Sequence, residues 1–417
     1  MFQERRLKVW LVDTKGTPHP VGELRVTPEG IAFRYTSYGF IIDPINLPYT
    51  PEEIKTQEIE KPLLVFDDTI PDTWGLKVLS KKYNFNFGKC RHMALGFGDS
   101  SRIGAILYSD PEDKRPPRPT WVNFQALKKS LEKVSSFDVK IIEQALDFLG
   151  ISEVNIGGAK PKTTLVDFQN RPWLVKFPAN NDPNPTVVAR VEVEGLSFAR
   201  DIGLEVPLFW LVKTGNIFSI AVKRFDITSL KLPYLGRQMV ISLSTMMGGL
   251  EMFDEGYEKA AHLIKNISSY PKRDVYSFFK QMVLNWFIVN TDDHLKNFSF
   301  LWNGRTIRLS PAYDLVGNLW GMAEHTMPIN DKTKDITPDD LIKAGSQMGI
   351  PSHIAKEEIN YMAERAAIYY ERLLGIEGAE MLAERVEERL SFFEKKIFVK
   401  NNFPESSDPS QENPQGL

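Results

Sequence analysis

The pattern of apolar and polar positions changes along this chain from strand-like to helical. The runs 7–12, 22–26 and 31–35 are rich in strand-forming residues and are separated by turn residues, which predicts an antiparallel meander. From about residue 255 onwards, apolar residues recur every three or four positions. This periodicity predicts helices over 256–267, 272–289, 338–348, 353–374 and 378–396.

The middle of the chain combines both patterns. Strand-like runs at 163–167 and 173–177 predict one hairpin, and runs at 209–212 and 217–222 predict a second. Between the two hairpins, the spacing of apolar residues predicts a helix over 187–203. We therefore expect a β-rich unit with one helix before the helical part of the chain.

A segment rich in proline and charge, 109–120, is the best candidate for a domain boundary. Two amphipathic helices are predicted after it, over 122–134 and 137–149. The polar, proline-rich end of the chain is predicted to be disordered. The predicted divisions are a β-rich N-terminal subdomain 1–110, a linker with helices 111–150, a second β-rich region 151–254, a helical region 255–400 and a disordered tail 401–417.

The bulk composition is that of an ordinary globular protein. The 417 residues carry a net charge of −3, and 42% of them are hydrophobic, so nothing in the charge balance points to nucleic acid. The single cysteine, Cys90, excludes an intrachain disulfide. Because the start of the chain lacks a signal-peptide pattern and no apolar run reaches about 20 residues, we expect a cytoplasmic protein without a membrane partner.

One stretch, from Asn290 to Phe300, concentrates the residue types that phosphoryl transfer requires. Asp292 can act as a general base, while Asn297 offers an amide oxygen and Asp314 a carboxylate to magnesium, which prefers hard oxygen ligands. His294 could contact a phosphate or brace the loop. The alternative reading is an Asx-rich loop whose side chains cap backbone groups.

Residues upstream of this stretch follow in the order that kinases use. The adjacent glycines of Gly157-Gly158-Ala159-Lys160-Pro161-Lys162 would let backbone N–H groups reach phosphate oxygens, although a plain turn also explains them. Lys176 interrupts an apolar strand and either reaches phosphates or points to water. Glu192 or Glu194, on the next helix, could orient Lys176 or could be exposed helix charges. Val222-Lys223-Arg224-Phe225-Asp226 ends the second hairpin, and its backbone could bind an adenine edge.

Together these motifs resemble those of the HipA-type kinases, the toxins of bacterial toxin–antitoxin pairs. The resemblance covers nearly the whole chain. It is carried by Val21-Gly22-Glu23-Leu24, Asp68-Thr69-Ile70-Pro71-Asp72, the turn from Gly157 to Lys162, Val175-Lys176-Phe177-Pro178, the segment from Val222 to Asp226, the segment from Thr291 to Ser299, and Leu309-Ser310-Pro311-Ala312-Tyr313-Asp314.

The resemblance implies an ATP- and magnesium-dependent serine/threonine protein kinase. The implied fold is α+β: a bilobal kinase-like core, distantly similar to phosphatidylinositol 3- and 4-kinases, with a β-rich N-terminal subdomain and an all-α C-terminal lobe. Region 151–254 would be the N-lobe-like ATP-binding part. Asp292 would be the catalytic base, and Asn297 and Asp314 the metal ligands. The implied ATP-binding residues are Gly157, Gly158, Ala159, Lys160, Pro161, Lys162, Lys176, Lys223, Arg224, Phe225, His294 and Tyr313.

The resemblance also implies macromolecular partners. The protein substrate would be a translation factor or an aminoacyl-tRNA synthetase, phosphorylated to arrest growth. A small HipB-like helix-turn-helix antitoxin on a separate chain would be the partner, and DNA would be contacted only through it. Two alternatives are a small-molecule phosphotransferase with a similar core, which the N-terminal β-rich region argues against, and a non-catalytic antitoxin-binding module, which the complete set of site residues argues against.

Two positions depart from the family pattern. Many relatives carry a serine just before the glycine turn, and autophosphorylation of that serine inactivates the enzyme. This chain has Asn155 at that position, and Ser152 lies three residues away. Control is therefore expected to depend on a partner protein or on Ser152, Thr163 or Thr164. Asp293 stands where some relatives have glycine, and we expect it to add a negative charge beside the base that tunes metal affinity.

Overall fold

The structure is a computed structural model that describes residues 4–56, 64–71, 73–97, 102–119, 121–126, 161–179, 182, 186–214, 217–249, 256–321 and 324–393. The chain divides into two compact units, each assembled from separate stretches of sequence. Unit 1 comprises Met1–Phe177, Lys223–Gly249 and Ser299–Thr306, and unit 2 comprises Pro178–Val222, Leu250–Phe298 and Ile307–Leu417. The predicted domain limits stay predictions.

Strands and helices alternate irregularly, so the predicted mixed α and β architecture is confirmed. The strands are β1 (Arg5–Val12), β2 (Pro18–Thr27), β3 (Gly30–Tyr35), β4 (Ile54–Lys55), β5 (Ile106–Ser109), β6 (Val122–Asn123), β7 (Lys162–Val166), β8 (Pro172–Lys176), β9 (Phe209–Thr214), β10 (Ile217–Lys223), β11 (Ile227–Ser229), β12 (Gly236–Arg237), β13 (Met239–Ser242), β14 (Ser299–Trp302) and β15 (Ile307–Leu309). The helices are α1 (Leu64–Asp67), α2 (Thr73–Tyr83), α3 (Val188–Asp201), α4 (Leu243–Met246), α5 (Tyr257–Ile267), α6 (Pro271–Phe287), α7 (Pro338–Gln347), α8 (Ser352–Leu374) and α9 (Glu380–Leu390). The finer prediction of a bilobal core distantly similar to lipid kinases stays a prediction.

The N-terminal sheet of unit 1 confirms the predicted meander. Its five strands run in the order β4-β3-β2-β1-β5, and each neighbouring pair is antiparallel. Apolar side chains on alternate positions are buried, such as Val9, Leu24 and Phe33. Gly22 is required in β2, because a Cβ there would lie 2.4 Å from the ring of Phe33 on β3.

The predicted hairpin over 163–167 and 173–177 is also confirmed, as β7 and β8. Its turn depends on Asp167, whose buried carboxylate accepts bonds from the backbone of the turn and from the side chains of Arg171 and Trp173. The helix predicted from residue 122 is wrong at its start, because Val122 and Asn123 form β6, parallel to β7. Residues 124–126 are helical as predicted, while the rest of that helix, the helix over 137–149 and the predicted disordered tail lie outside the described residues.

Unit 2 contains α3, the β9–β10 hairpin and the helices from α5 to α9. These helices start and end close to the predicted positions, except that α9 stops at Leu390 and continues as a short 3-10 turn, Ser391–Phe393. Helix α6 lies at the centre of the core, since seven of its apolar side chains have no exposure: Phe278, Phe279, Met282, Val283, Leu284, Trp286 and Phe287. Among the described residues, no helix is both long and apolar enough to span a membrane.

Candidate active site

The loop that follows α6 carries the predicted base. After the cap residue Ile288, Val289 adopts a left-handed backbone conformation, with φ of 55°, that a β-branched residue rarely takes. The loop then closes in a single 3-10 turn, Leu295–Asn297, and Leu295 and Phe298 are buried. Phe298 packs edge-on against Phe278 of α6, with ring centroids 5.0 Å apart. The core therefore fixes both ends of the segment 291–297, which we call the base loop.

Asp292 is the exposed carboxylate of the base loop. Its side chain is 70% exposed, and His294 Nε2 lies 3.6 Å from Asp292 Oδ1, which is too long for a hydrogen bond. The Asn297 side-chain amide donates to the backbone carbonyl of Asp292 over 2.6 Å. Because a carbonyl can only accept, this bond fixes which end of the Asn297 amide is nitrogen and leaves its oxygen on the other side. Asp292 is therefore accessible to a substrate hydroxyl.

The segment that carries Asp314 is hydrogen-bonded to the base loop and to Asn290, the residue just before it. The hydroxyl of Tyr313 donates to the carbonyl of Lys296 at 3.0 Å, and the side-chain amide of Asn290 donates to the carbonyl of Asp314 at 3.4 Å. Asp314 has φ of 58°, a conformation that Asp and Asn tolerate better than other side chains. The structure thus places the Tyr313–Asp314 segment beside the loop that carries Asp292, His294 and Asn297, and the roles of these residues stay predictions.

The two predicted ligands suit magnesium better than a softer metal. Mg²⁺ typically binds one or two protein carboxylates or carbonyl oxygens and completes its shell with water and substrate phosphates. The predicted ligands, the Asp314 carboxylate and the Asn297 amide oxygen, are hard oxygen donors of this kind. Within the described ranges, no group of three or more His, Cys, Asp or Glu side chains could hold a metal.

Asp293 does not face the solvent beside Asp292. Its carboxylate is fully buried and accepts bonds from the Tyr257 hydroxyl, at 2.7 Å, and from the backbone of Thr326, at 2.8 Å. Burial, together with the nearby Asp293 charge, raises the pKa of Tyr257 well above its usual value, so Tyr257 is a donor at neutral pH. The Asp293 carboxylate, which we expected to tune metal affinity, instead accepts hydrogen bonds inside unit 2.

The predicted phosphate-binding lysines belong to unit 1. Lys162 on β7 and Lys176 on β8 are directly opposite in the antiparallel register, so their side chains share one face of the hairpin. Pro161 precedes Lys162 and accepts a backbone bond from Phe177. The glycine turn itself, Gly157, Gly158, Ala159 and Lys160, lies outside the described residues, as do Asn155 and Ser152.

The segment expected to bind adenine places Arg224 in a buried network of unit 1. The Arg224 guanidinium donates to both carboxylate oxygens of Asp226, at 3.0 and 2.6 Å, and to the carbonyl of Arg102 at 2.7 Å. Lys223 and Phe225 on either side are half-buried. Since the Arg224 side chain is 1% exposed, the geometry assigns it to packing of unit 1, and only the backbone of the segment remains a candidate for adenine.

The two glutamates on α3 have different surroundings. Glu194 lies 3.6 Å from Arg372 on α8, and burial raises the pKa of Glu194. Glu192 is 3% exposed. The orientation of Lys176 by either residue stays a prediction.

The two threonines that were considered as regulatory sites are both buried. Thr163 and Thr164 lie on β7 and are 3% and 5% exposed, and Thr164 Oγ1 accepts a bond from Arg224. A kinase could reach their hydroxyls only if β7 opened. Burial therefore leaves Ser152 or a partner protein as the remaining candidates for control.

Sequence reasoning missed Gly195, in the middle of α3. A Cβ at Gly195 would lie 2.1 Å from the backbone oxygen of Leu315, the residue after the predicted metal ligand Asp314. The opposite side of this segment is held by Ala312, whose amide donates to the carbonyl of Glu205 at 2.8 Å. A glycine in the middle of a helix costs about 1 kcal/mol relative to alanine, so a glycine at this position was the available sequence signal.

Comparison with known proteins places the chain in a family. A family model of the HipA-like C-terminal domain matches residues 154–368, more than half of the chain. The chain belongs to the HipA family. It is also 26% identical over 213 residues to the candidate kinase Y4dM of Sinorhizobium fredii (strain NBRC 101917 / NGR234). That alignment covers 47% of this chain and 46% of Y4dM, so the chain spans about half the length of this curated relative.

Solved structures support the HipA fold. The chain matches HipA from the Shewanella oneidensis MR-1 complex of HipA, HipB and operator DNA with a TM-score of 0.69 and 18% identity, over 94% of this chain and 100% of that one. A second match is the Helicobacter pylori proinflammatory kinase CtkA, with a TM-score of 0.39 and 17% identity, over 58% of this chain and 93% of that one. Only the first match supports a shared fold over nearly the whole chain.

Proposed function

We propose that this HipA-family protein is an ATP- and magnesium-dependent serine/threonine protein kinase whose general base is Asp292. The observation that carries the proposal is the exposed Asp292 carboxylate on a loop that also holds Asn297 and is hydrogen-bonded to the Asp314 segment. A base, a neutral oxygen ligand and an anionic oxygen ligand in one place are the parts that phosphoryl transfer requires.

In the proposed reaction, Asp292 accepts the proton of a serine or threonine hydroxyl. The hydroxyl oxygen forms a bond to the γ-phosphorus of ATP as the bond between that phosphorus and the oxygen of the leaving ADP breaks. Asn297 and Asp314 would hold Mg²⁺, which neutralises phosphate charge when bound. His294, beside Asp292, would contact phosphate or brace the loop, and Tyr313 holds the Asp314 segment on Lys296.

Nucleotide binding by unit 1 is the second part of the proposal. Lys162 and Lys176, on the same face of the β7–β8 hairpin, would bind phosphate oxygens. The turn from Gly157 to Lys160 would add backbone donors. These assignments rest on the residue types and on the register of the hairpin.

The proposed partners follow from the family. The Shewanella relative forms a complex with HipB and operator DNA, so we propose a HipB-like helix-turn-helix antitoxin for this chain, with DNA bound only through it. The proposed substrate is a translation-related protein such as an aminoacyl-tRNA synthetase or a translation factor. Co-purification with a small HipB-like helix-turn-helix protein would support the antitoxin, and a lack of complex at micromolar concentrations of both would contradict it.

Transfer of γ-labelled phosphate to protein tests the kinase proposal. We expect the wild-type chain to label a protein in a bacterial extract, on serine or threonine, and Asp292→Asn to lower the rate by about 10²-fold or more. Asp335→Asn is the matched control, because Asp335 is an exposed aspartate on another loop of unit 2 and its variant should keep the wild-type rate. Label on a small molecule instead would indicate a small-molecule phosphotransferase, and equal rates for Asp292→Asn and wild type would refute the assigned base.

A further inference from the structure

Asp293, the residue after the proposed base, is a buried carboxylate that accepts several hydrogen bonds. One carboxylate oxygen, Oδ2, accepts from the Tyr257 hydroxyl at 2.7 Å and lies 3.0 Å from His325 Nδ1. The other oxygen, Oδ1, accepts from the backbone N–H of Thr326 at 2.8 Å. Tyr257 is in turn held by the side-chain amide of Asn285 on α6, at 3.0 Å. All of these side chains are buried, where a bond to a charged acceptor is strong and its loss is costly.

The same segment that bonds to Asp293 also holds the residue on the other side of Asp292. The backbone carbonyl of Thr291 accepts from the Thr326 hydroxyl at 2.9 Å and from the Thr326 N–H at 3.2 Å. The Thr291 hydroxyl accepts from the side-chain amide of Asn318 at 2.5 Å. Both neighbours of Asp292 are therefore fixed to the interior of unit 2, while the Asp292 side chain itself is exposed.

We infer that Asp293 is a positioning residue for the base: its buried carboxylate fastens the segment 325–327 to the base loop and so holds Asp292 in place. The reason is physical. An exposed carboxylate on a loop samples many positions, and a catalytic group must stay within a fraction of an ångström of its working position. The inference rests on the proposed kinase function for its effect on catalysis, but the fastening of the loop is independent of that function.

Two variants of Asp293 separate positioning from charge. Asp293→Ala removes the acceptor of the Tyr257 hydroxyl hydrogen and the shorter bond of the Thr326 N–H, which keeps only the Thr291 carbonyl at 3.2 Å. Asp293→Asn keeps the shape: its oxygen can accept from Thr326, and its amide can donate to Tyr257 and to His325 in the other imidazole tautomer. The acceptor for the Tyr257 hydroxyl hydrogen is then lost and the buried His325 Nε2–H has no partner among the described residues, so Asp293→Asn should recover part of what Asp293→Ala loses.

Asp274 provides a matched control in the same unit. Its carboxylate is also buried and also accepts several bonds, from the Ser268 hydroxyl, the Arg273 side chain and the Leu309 N–H, but none comes from the base loop. Asp274→Ala should therefore destabilise unit 2 to a similar extent without releasing Thr291 or Thr326.

Hydrogen–deuterium exchange and steady-state kinetics on the full chain test the inference. We expect amides in peptides that cover 291–297 and 324–333 to exchange about tenfold faster in Asp293→Ala than in Asp274→Ala. We expect kcat for phosphoryl transfer to fall about tenfold or more relative to Asp274→Ala, with KM for ATP unchanged and with partial recovery in Asp293→Asn. If Asp293→Ala does not fold, Tyr257→Phe, which removes one donor, should still raise exchange in both peptides.

The outcomes are distinguishable from failure of the proposed function. Equal exchange of these peptides in Asp293→Ala and Asp274→Ala, or in Tyr257→Phe and wild type, would overturn the fastening of the loop. Faster exchange with the same kcat as Asp274→Ala would overturn the positioning of the base. If the wild-type chain transfers no phosphate at all, the proposed kinase function fails, and the exchange measurement alone decides whether Asp293 fastens the loop.

Discussion

Replacement of Gly195 by alanine should displace the Asp314 segment without touching the proposed site directly. Gly195 lies inside α3, and its missing side chain leaves room for the backbone of Leu315, the residue after Asp314. A Cβ on Gly195 would lie 2.1 Å from the Leu315 oxygen and 3.2 Å from its carbonyl carbon. The obstacle is backbone, so no side-chain rotation can relieve the contact.

The size of the displacement follows from ordinary contact distances. A carbon atom approaches a carbonyl oxygen to about 3.3 Å, so Leu315 or α3 must move by about 1 Å. Overpacking of this kind costs about 1–3 kcal/mol, and the better helix propensity of alanine returns about 1 kcal/mol. The net loss of stability should therefore be about 2 kcal/mol or less, whereas a shift of about 1 Å in a reacting group can lower a rate by about 10²-fold.

Phosphoryl transfer measured over a range of magnesium concentrations tests this prediction, together with thermal unfolding. Gly195→Ala should unfold only slightly earlier than wild type, yet need more magnesium and turn over about 10²-fold more slowly. Gly345→Ala is the control. It also adds a methyl group to a helix of unit 2, but that group would meet the side chains of Phe279 and Ala355 rather than backbone. Wild-type turnover and magnesium dependence in Gly195→Ala would refute the role of this close approach.

Three further substitutions test a proposed metal ligand, a buried arginine of unit 1 and a buried glutamate of unit 2. Asp314→Asn keeps a residue that tolerates positive φ, so the unfolding temperature should be unchanged while magnesium-dependent transfer falls about 10²-fold, measured by magnesium titration. Arg224→Lys loses the two-pronged bond to Asp226 and should lower the free energy of unfolding by about 2 kcal/mol in urea, with the affinity for ATP unchanged. Burial raises the folded-state pKa of Glu194 despite the nearby Arg372, so the ionised carboxylate lowers the stability of the folded state. Glu194→Gln should therefore have the same thermal unfolding midpoint as wild type near pH 4 and a higher midpoint at pH 7. A midpoint below that of wild type at pH 7 would contradict this.

The secondary structure of much of the chain could be predicted from the local sequence. The strands β1 to β3, the β7–β8 hairpin and the helices of unit 2 follow the periodicity of apolar residues, because burial of one face selects strand or helix. The short strand β6 could not be predicted from the sequence, because two residues are too few to show a periodicity of apolar positions. Only their parallel pairing with β7 makes them a strand. The residue types in the base loop were sufficient to predict phosphoryl transfer, because a base and hard oxygen ligands are specific chemical requirements.

The orientation of individual side chains could not be predicted from the sequence. Asp292 and Asp293 are adjacent carboxylates in the sequence, yet one is 70% exposed and the other is buried among Tyr257, His325 and Thr326. Arg224 sits in a motif that suggested a ligand, but its guanidinium is bound to Asp226 inside unit 1. Neither outcome is encoded in local sequence, because the partners lie far away along the chain.

The sequence by itself determined the chemistry that this protein can perform and most of the elements that support it. Residue type fixes whether a side chain can take a proton or bind magnesium, and periodicity fixes which segments become strands or helices. Tertiary structure alone decided which acid faces the solvent, which one fastens the loop, and why α3 needs Gly195. These choices depend on packing and hydrogen bonds between residues distant in sequence, and burial makes such contacts strong enough to decide them.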